Sequence, residues 1–69
     1  MLKIFDEVHR DGEPDDAGVI IGRRVGYLEQ FEVLWYDGVY TSWHYSDDLV
    51  PTGRNFKDEF KKGVIKHGK

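Results

Sequence analysis

Residues 31–45 read FEVLWYDGVYTSWHY, and this stretch decides the fold. Two runs of β-branched and aromatic residues flank Asp37-Gly38, a dipeptide that is a strong short-range signal for a β-hairpin. Both runs alternate between two faces, so the pairing register determines which side chains enter the core. The stretch therefore predicts two antiparallel strands joined by a tight turn, and the length of that turn determines the interior.

The two possible turn lengths give opposite interiors. A two-residue turn pairs Trp35 with Tyr40 and places a serine and a histidine on the core side. A three-residue turn, with Gly38 in the left-handed conformation, pairs Trp35 with Val39 and keeps those polar groups out of the core. We predict the three-residue turn for this reason. The predicted core face of the hairpin then holds Phe31, Val33, Trp35, Val39, Thr41, Trp43 and Tyr45.

Two strands are predicted before the hairpin. Residues 3–9 alternate loosely and suit an edge strand, whereas residues 18–25 are β-branched and bounded by glycines. Gly22 marks a bend or bulge in the second of these strands. Residues 10–17 are rich in turn formers and are predicted to form the loop between the two strands.

The residues after the hairpin are predicted to complete the sheet. Residues 46–49 favour one tight turn that tucks Leu49 under the sheet, and Val50-Pro51 begins a last short strand that breaks at Gly53. The fold class that follows is all-β: a five-stranded, strongly bent antiparallel barrel over residues 1–53.

The last segment, residues 54–69, is predicted to form a short basic helix or tail packed on the barrel. Asn55 suits a helix cap, and Phe56 and Phe60 are four residues apart, so they share one face of a helix. Packing on the barrel would remove both phenylalanine rings from water.

Charge is divided unevenly along the chain. Residues 1–50 carry 11 acidic and 4 basic side chains, a net charge of −7, while residues 51–69 carry 2 acidic and 6 basic ones, a net charge of +4. An acidic body repels phosphate backbones, so nucleic acid is expected as a partner only through the basic segment. Because the chain has no cysteine, no long apolar run and no signal-peptide pattern, we expect a cytoplasmic protein that an apolar core stabilises.

One spacing pattern runs through the hairpin and the last strand: Val33-x-Trp35-x-Asp37-Gly38, then Trp43, then Leu49-x-Pro51. This pattern resembles the core of Tudor-like and other SH3-like small barrels, and the resemblance covers residues 18–52. Barrels of this kind include readers of methylated peptides, RNA and DNA binders, polymerase-associated modules and small phage proteins. A chain this short also resembles a stand-alone phage or bacterial protein.

A full resemblance to readers of methyl-lysine and methyl-arginine implies an aromatic cage in this chain, built from the loop between the first two strands and from the hairpin. The hairpin here supplies Tyr36 and Tyr40 with Asp37 beside them, but residues 10–17 contain no aromatic residue. Half of such a cage is missing, so we do not expect a complete one.

The tyrosines of the hairpin are predicted to form a contact surface for a protein or peptide partner. In the predicted register, Leu34 and Tyr40 face away from the core and Tyr36 stands at the turn. Tyrosine suits an interface because its ring contributes buried area while its hydroxyl can still form hydrogen bonds. The chain is therefore predicted to be a non-catalytic binding module. The predicted binding residues are Tyr27, Leu34, Tyr36, Asp37 and Tyr40.

The sequence fits catalytic and metal sites less well than it fits a contact surface. No motif places a nucleophile beside one of the three histidines, and none of them has a neighbour at zinc-ligand spacing. The acidic residues 11–16 do not match the spacing of a calcium loop. No catalytic residue, metal or cofactor is therefore predicted. The alternative function is a nucleic-acid-binding barrel whose basic arm contacts phosphates. Its predicted contact residues are Arg54, Lys57, Lys61 and Lys62.

Overall fold

The computed structural model describes residues 2–57, which form one antiparallel β-sheet. Its strands are β1 (Asp6–Arg10), β2 (Glu13–Val25), β3 (Glu29–Trp35), β4 (Tyr40–Tyr45) and β5 (Leu49–Asn55), and one 3-10 turn at Ser46–Asp48 joins β4 to β5. The order across the sheet is β4-β3-β2-β1-β5. The first four strands therefore form a meander, and β5 returns to lie beside β1.

The predicted all-β fold with five antiparallel strands is confirmed, as are the tight turn before β5 and the burial of Leu49. The sheet is bent and not closed: β4 and β5 are its edges, yet Leu49 of β5 joins the same core cluster as Phe31 and Trp35 of β3. The bend allows one sheet to enclose an apolar interior. The buried members of this core are Val8, Ile20, Phe31, Val33, Trp35 and Leu49.

The predicted register of the β3–β4 hairpin is wrong. Trp35 pairs with Tyr40, so β4 is displaced by one residue from its predicted position. Gly38 has a positive φ of 88° as predicted, but Val39 follows it with a φ of 50°, and this adds a residue to the turn. Because β-branched residues rarely adopt this conformation, the local sequence does not signal the longer turn.

A shift of one residue exchanges the two faces of β4. Trp43 and Tyr45, predicted to be buried, lie on the outer face, while Tyr40, predicted to face outwards, lies on the inner side with Trp35. Ser42 also faces inwards, where it is half-buried. The residues lost from the predicted core are Val39, Thr41, Trp43 and Tyr45.

The inner face tolerates polar residues because they satisfy one another. Trp35 Nε1–H donates to Ser42 Oγ at 2.8 Å, and Ser42 Oγ lies 2.6 Å from His44 Nε2. Buried polar groups that have hydrogen-bond partners do not incur the full cost of desolvation. On sequence grounds this register is disfavoured because it places Ser42 and His44 on the core side. The hydrogen bonds make that placement acceptable.

The boundaries of β1 and β2 also differ from prediction. β1 begins at Asp6, after a turn, and β2 begins at Glu13. The predicted loop of residues 10–17 is thereby reduced to a turn at Asp11-Gly12, where Gly12 has a φ of 82°. Glu13 and Ala17 pair with β1 despite the local turn preference of this segment, and the register shifts between these two pairs.

The predicted break at Gly53 is not observed. β5 continues through Gly53, whose φ is 97°, to Asn55. Asn55 Oδ1 accepts a hydrogen bond from the backbone N–H of Lys57 at 2.8 Å, a contact typical of a helix cap. The remainder of the predicted helix, from residue 58 onwards, lies outside the described residues.

A bulge in β2 confirms the irregularity predicted at Gly22. Pairing with β3 passes from Ile20 directly to Gly22, so Ile21 is the extra residue. The alternation of faces is reset at this point. As a result, Arg24 pairs with Gln30 and lies on the outer face of the sheet.

Candidate protein-interaction surface

Strand β4 is an edge of the sheet and bears three exposed aromatic side chains. Tyr40 is 48% exposed, Trp43 37% and Tyr45 46%. β4 pairs with β3 on one side, and no strand within residues 2–57 pairs with its other side. We term these three residues the β4 aromatic edge.

Trp43 is held in place from the outer face of the sheet. The guanidinium group of Arg24 lies over the indole, 4.1 Å from the ring centroid. Arg24 is itself fixed by a hydrogen bond from Nη2 to Gln30 Oε1 at 2.8 Å. A cation–π contact of this kind contributes about 0.5–1 kcal/mol at an exposed site. The indole is thus oriented while more than a third of it remains accessible to solvent.

A small hollow adjoins the Tyr45 end of β4. It has a volume of 220 Å³ and lies against the turn between β2 and β3. Two side chains of that turn, Tyr27 and Leu28, are largely exposed. This end of the β4 aromatic edge therefore continues into further apolar surface.

A larger groove adjoins the Tyr40 end. It has a volume of 550 Å³ and lies between the β1–β2 turn and the β3–β4 turn, with Tyr40 and Asp37 on one side. The opposite side is formed by residues 12–16. The carboxylates that line the groove belong to Glu13, Asp15, Asp16 and Asp37. Their shared sign favours a cationic group over an anionic one.

Arg10 lies at the inner side of this region. Its guanidinium group is 4.3 Å from the centroid of a Trp35 ring, its Nε donates to Asp16 Oδ2 at 2.5 Å, and its Nη2 donates to Tyr40 Oη at 3.1 Å. A cation of the chain itself thus already contacts the aromatic surface at this end of the hairpin. The contact also orients Tyr40 relative to the groove.

His44 contacts the same inner cluster. Burial, together with the positive charge of Arg10, lowers the pKa of His44 below its ordinary value. The His44 ring meets the Trp35 ring edge to face, with 5.4 Å between centroids. Ser42 lies beside His44, but its hydroxyl oxygen is already engaged by the indole N–H of Trp35. The arrangement satisfies the polar groups of the inner face.

The predicted binding residues are distributed around β4 and do not form one patch. Tyr40 and Asp37 line the acidic groove. Tyr27 lines the hollow beside Tyr45, at the opposite end of β4. These three residues therefore surround the β4 aromatic edge from its two ends.

The other two predicted residues, of which Leu34 pairs with Thr41 of β4, line neither the groove nor the hollow. Leu34 is half-buried on the outer face, and Tyr36 Oη donates to Glu7 Oε2 at 3.0 Å. Sequence reasoning missed Trp43 and Tyr45, because the predicted register placed both in the core. The register that a two-residue turn predicts pairs Trp35 with Tyr40, as observed, and places Trp43 and Tyr45 on the outer face.

Two of the predicted nucleic-acid contacts are described. Arg54 lies near the end of β5, with its guanidinium group 4.4 Å from the centroid of the Phe56 ring, and Lys57 follows closely. Lys61 and Lys62 lie outside the described residues. The basic arm thus remains a prediction.

Comparison with known proteins does not assign a family: no protein-family model, curated protein or solved structure matches the chain significantly. No helical segment described within residues 2–57 could span a lipid bilayer. The same residues contain no group of three or more His, Asp or Glu side chains arranged to hold a metal ion. The assignment of a function rests on the geometry of β4 and its surroundings.

Proposed function

We propose that this protein is a non-catalytic module that binds a protein or peptide partner through the β4 aromatic edge. One observation carries the proposal: three exposed aromatic rings lie on a single 6-residue edge strand that contains no Asp, Glu, Lys or Arg. Aromatic anchors contribute a large share of the binding energy at protein interfaces. Leaving three such rings exposed gives an isolated domain no comparable gain.

We also propose that the fold is an SH3-like, Tudor-like barrel. In support, a four-stranded meander is followed by a 3-10 turn and by a fifth strand beside β1, in agreement with the sequence resemblance. Such barrels have many functions, so the fold supports binding in general and no particular ligand. A methylated side chain is not favoured here, because residues 10–17 supply no aromatic ring for a cage and Arg10 already donates to Tyr40 Oη.

The test compares the affinity of one partner for three forms of the whole chain. A partner is recovered from the source cells on the unaltered chain, and its dissociation constant is measured for the Trp43→Ala/Tyr45→Ala variant. We expect roughly ten- to hundredfold weaker binding, because aromatic hot-spot residues contribute about 2 kcal/mol or more. The matched control, Ile21→Ala, removes an exposed apolar side chain from β2, a strand that is not adjacent to β4. It should bind as the unaltered chain does.

Equal binding by the double variant, with circular dichroism showing that it is folded, would contradict the proposal. The alternative, a nucleic-acid-binding barrel, is distinguished by salt. Binding to nucleic acid weakens steeply as salt is added because counterions are released, whereas an aromatic contact is much less sensitive. Salt-sensitive binding to nucleic acid that Trp43→Ala/Tyr45→Ala does not affect would favour the basic arm instead.

A further inference from the structure

The two edges of the sheet are built differently. β5 contains Pro51, which has no backbone N–H, then Gly53 with a φ of 97°, and the charged Arg54. Proline and charged residues are known means of protecting an edge strand against pairing, and a glycine within a strand weakens it and often marks a bulge. β4, with the sequence YTSWHY, contains no proline, no glycine and no Asp, Glu, Lys or Arg. Within residues 2–57, β4 is therefore the edge that is suited to receive another strand.

The side chains of β4 would contact such a strand on both faces. Trp43 and Tyr45 lie on the outer face, whereas Tyr40 lies on the side of Trp35. A strand added beside β4 alternates in the same way, so its side chains would lie next to these rings. In this mode of recognition the backbone hydrogen bonds supply affinity and the neighbouring side chains supply selectivity.

Acidic residues flank β4 at both ends, beyond the cations Arg10 and Arg24 that contact its aromatic side chains, and these acidic residues distinguish between possible occupants. Asp37 precedes β4 in the turn, and Asp47 and Asp48 follow it in the 3-10 turn; all three are exposed. A strand with basic residues at its ends complements this pattern. A second copy does not, because antiparallel pairing of two β4 strands about a twofold axis would bring Asp37 of one copy towards Asp47 of the other.

We propose that β4 accepts an extended segment of a partner protein as an added strand, and that this segment carries Lys or Arg beside the ends of β4. The inference rests on the proposed function, since it states how the partner is held. The partner is recognised by its backbone and by its positive charge, and the aromatic rings select the side chains between.

The test uses two short synthetic peptides with the same alternating Thr-Val centre, one flanked by lysines and the other by glutamates. Each is titrated into the isotope-labelled whole chain. The lysine peptide should shift the β4 amide resonances and slow hydrogen exchange at the β4 amides that face away from β3. The glutamate peptide should bind at least about tenfold more weakly, because it places like charges beside Asp37 and Asp47. Added salt should reduce this difference.

Two further lysine peptides test strand pairing directly. Each carries N-methyl groups on one of the two alternate sets of backbone amides. Only one set faces β4 in a given ladder, and turning the peptide to present the other set exchanges its valine and threonine faces, so the two methylated peptides should differ in affinity. Equal affinity of the two methylated peptides, or binding of neither, would overturn the inference, as would shifts confined to resonances outside β4 or equal affinity for the lysine and glutamate peptides.

Two other occupants are also outcomes of these measurements. Dimerisation that protects the β4 amides without peptide would assign the edge to a second copy. Protection in the dilute chain that is lost in the Lys61→Glu/Lys62→Glu variant would assign it to the chain's own C-terminal residues. Either result overturns the inference. The proposed function fails separately, because it depends on the partner's affinity for the Trp43→Ala/Tyr45→Ala variant and not on the peptides.

Discussion

The inner and outer faces of the β3–β4 hairpin each hold one tryptophan, and the two have different surroundings. Trp35 is fully buried, its indole N–H donates to Ser42, and Arg10 lies over its ring. Trp43 lies on the outer face under Arg24 and remains more than one-third exposed. The same residue type thus stabilises the core on one face and is available for contact on the other. The comparison shows that register, and not residue type, determines the role of each ring.

The largest effect is expected at Trp35. Trp35→Ala should lower the free energy of unfolding by about 3–5 kcal/mol, because it leaves a cavity in a small core. Trp35→Phe keeps an aromatic ring but removes the donor to Ser42, and it should cost about 1–3 kcal/mol. Urea denaturation followed by circular dichroism measures both. An unchanged urea midpoint in either variant would contradict the inner placement of Trp35.

A smaller effect is expected at Trp43. Trp43→Ala should cost about 1 kcal/mol, because the ring is only partly buried and its contact with Arg24 is exposed. The same urea experiment measures it, with Arg24→Ala as the matched variant that removes the cation and leaves the indole. A loss as large as that of Trp35→Ala would show that Trp43 belongs to the core and would contradict the observed register.

The smallest effect is expected from His44 on the inner face. Burial and the charge of Arg10 lower its pKa in the folded chain, whereas the unfolded chain has the ordinary value of 6.5. The unfolded state therefore takes up this proton at higher pH than the folded state. The contribution of His44 to stability is present above the unfolded pKa and is lost as the pH falls through the folded pKa.

Urea unfolding measured from about pH 8 to about pH 5 should show this decrease in stability. The His44→Gln variant removes the titrating ring and should have a flatter profile over the upper part of this range. Identical profiles for the two proteins would mean that the pKa of His44 is not lowered by folding.

Local patterns predict much of the fold. The five strands, the bulge at Gly22 and the burial of Leu49 follow from alternation and from turn-forming residues, which act over a few positions. Register is different, because it depends on Val39 adopting a left-handed conformation that its branched side chain disfavours. It also depends on hydrogen bonds that exist only once Trp35 and the polar residues opposite it have packed together.

The candidate site depends on register, so it was predicted less well than the fold. The sequence predicts that exposed aromatic residues of the hairpin bind a partner, but the predicted turn places Tyr40 outwards and Trp43 and Tyr45 in the core. The acidic groove was also not predicted from the sequence, because it forms only where residues 12–16 of one turn lie opposite Asp37 of another. No local pattern contains a contact between segments so far apart in the chain.

The bulge at Ile21 has a consequence for how the length of this chain can vary. Deleting Ile21 would restore plain alternation along β2 and would keep every β2–β3 pair, because Ile20 and Gly22 already face consecutive residues of β3, so Arg24 would remain over Trp43. A single lost codon at this position would therefore remove the bulge and keep the residues of the outer surface on their side of the sheet. The β2–β3 turn is also permissive, since a Cβ at Gly26 would meet no atom within 4 Å, and exposed turns of this kind tolerate insertions.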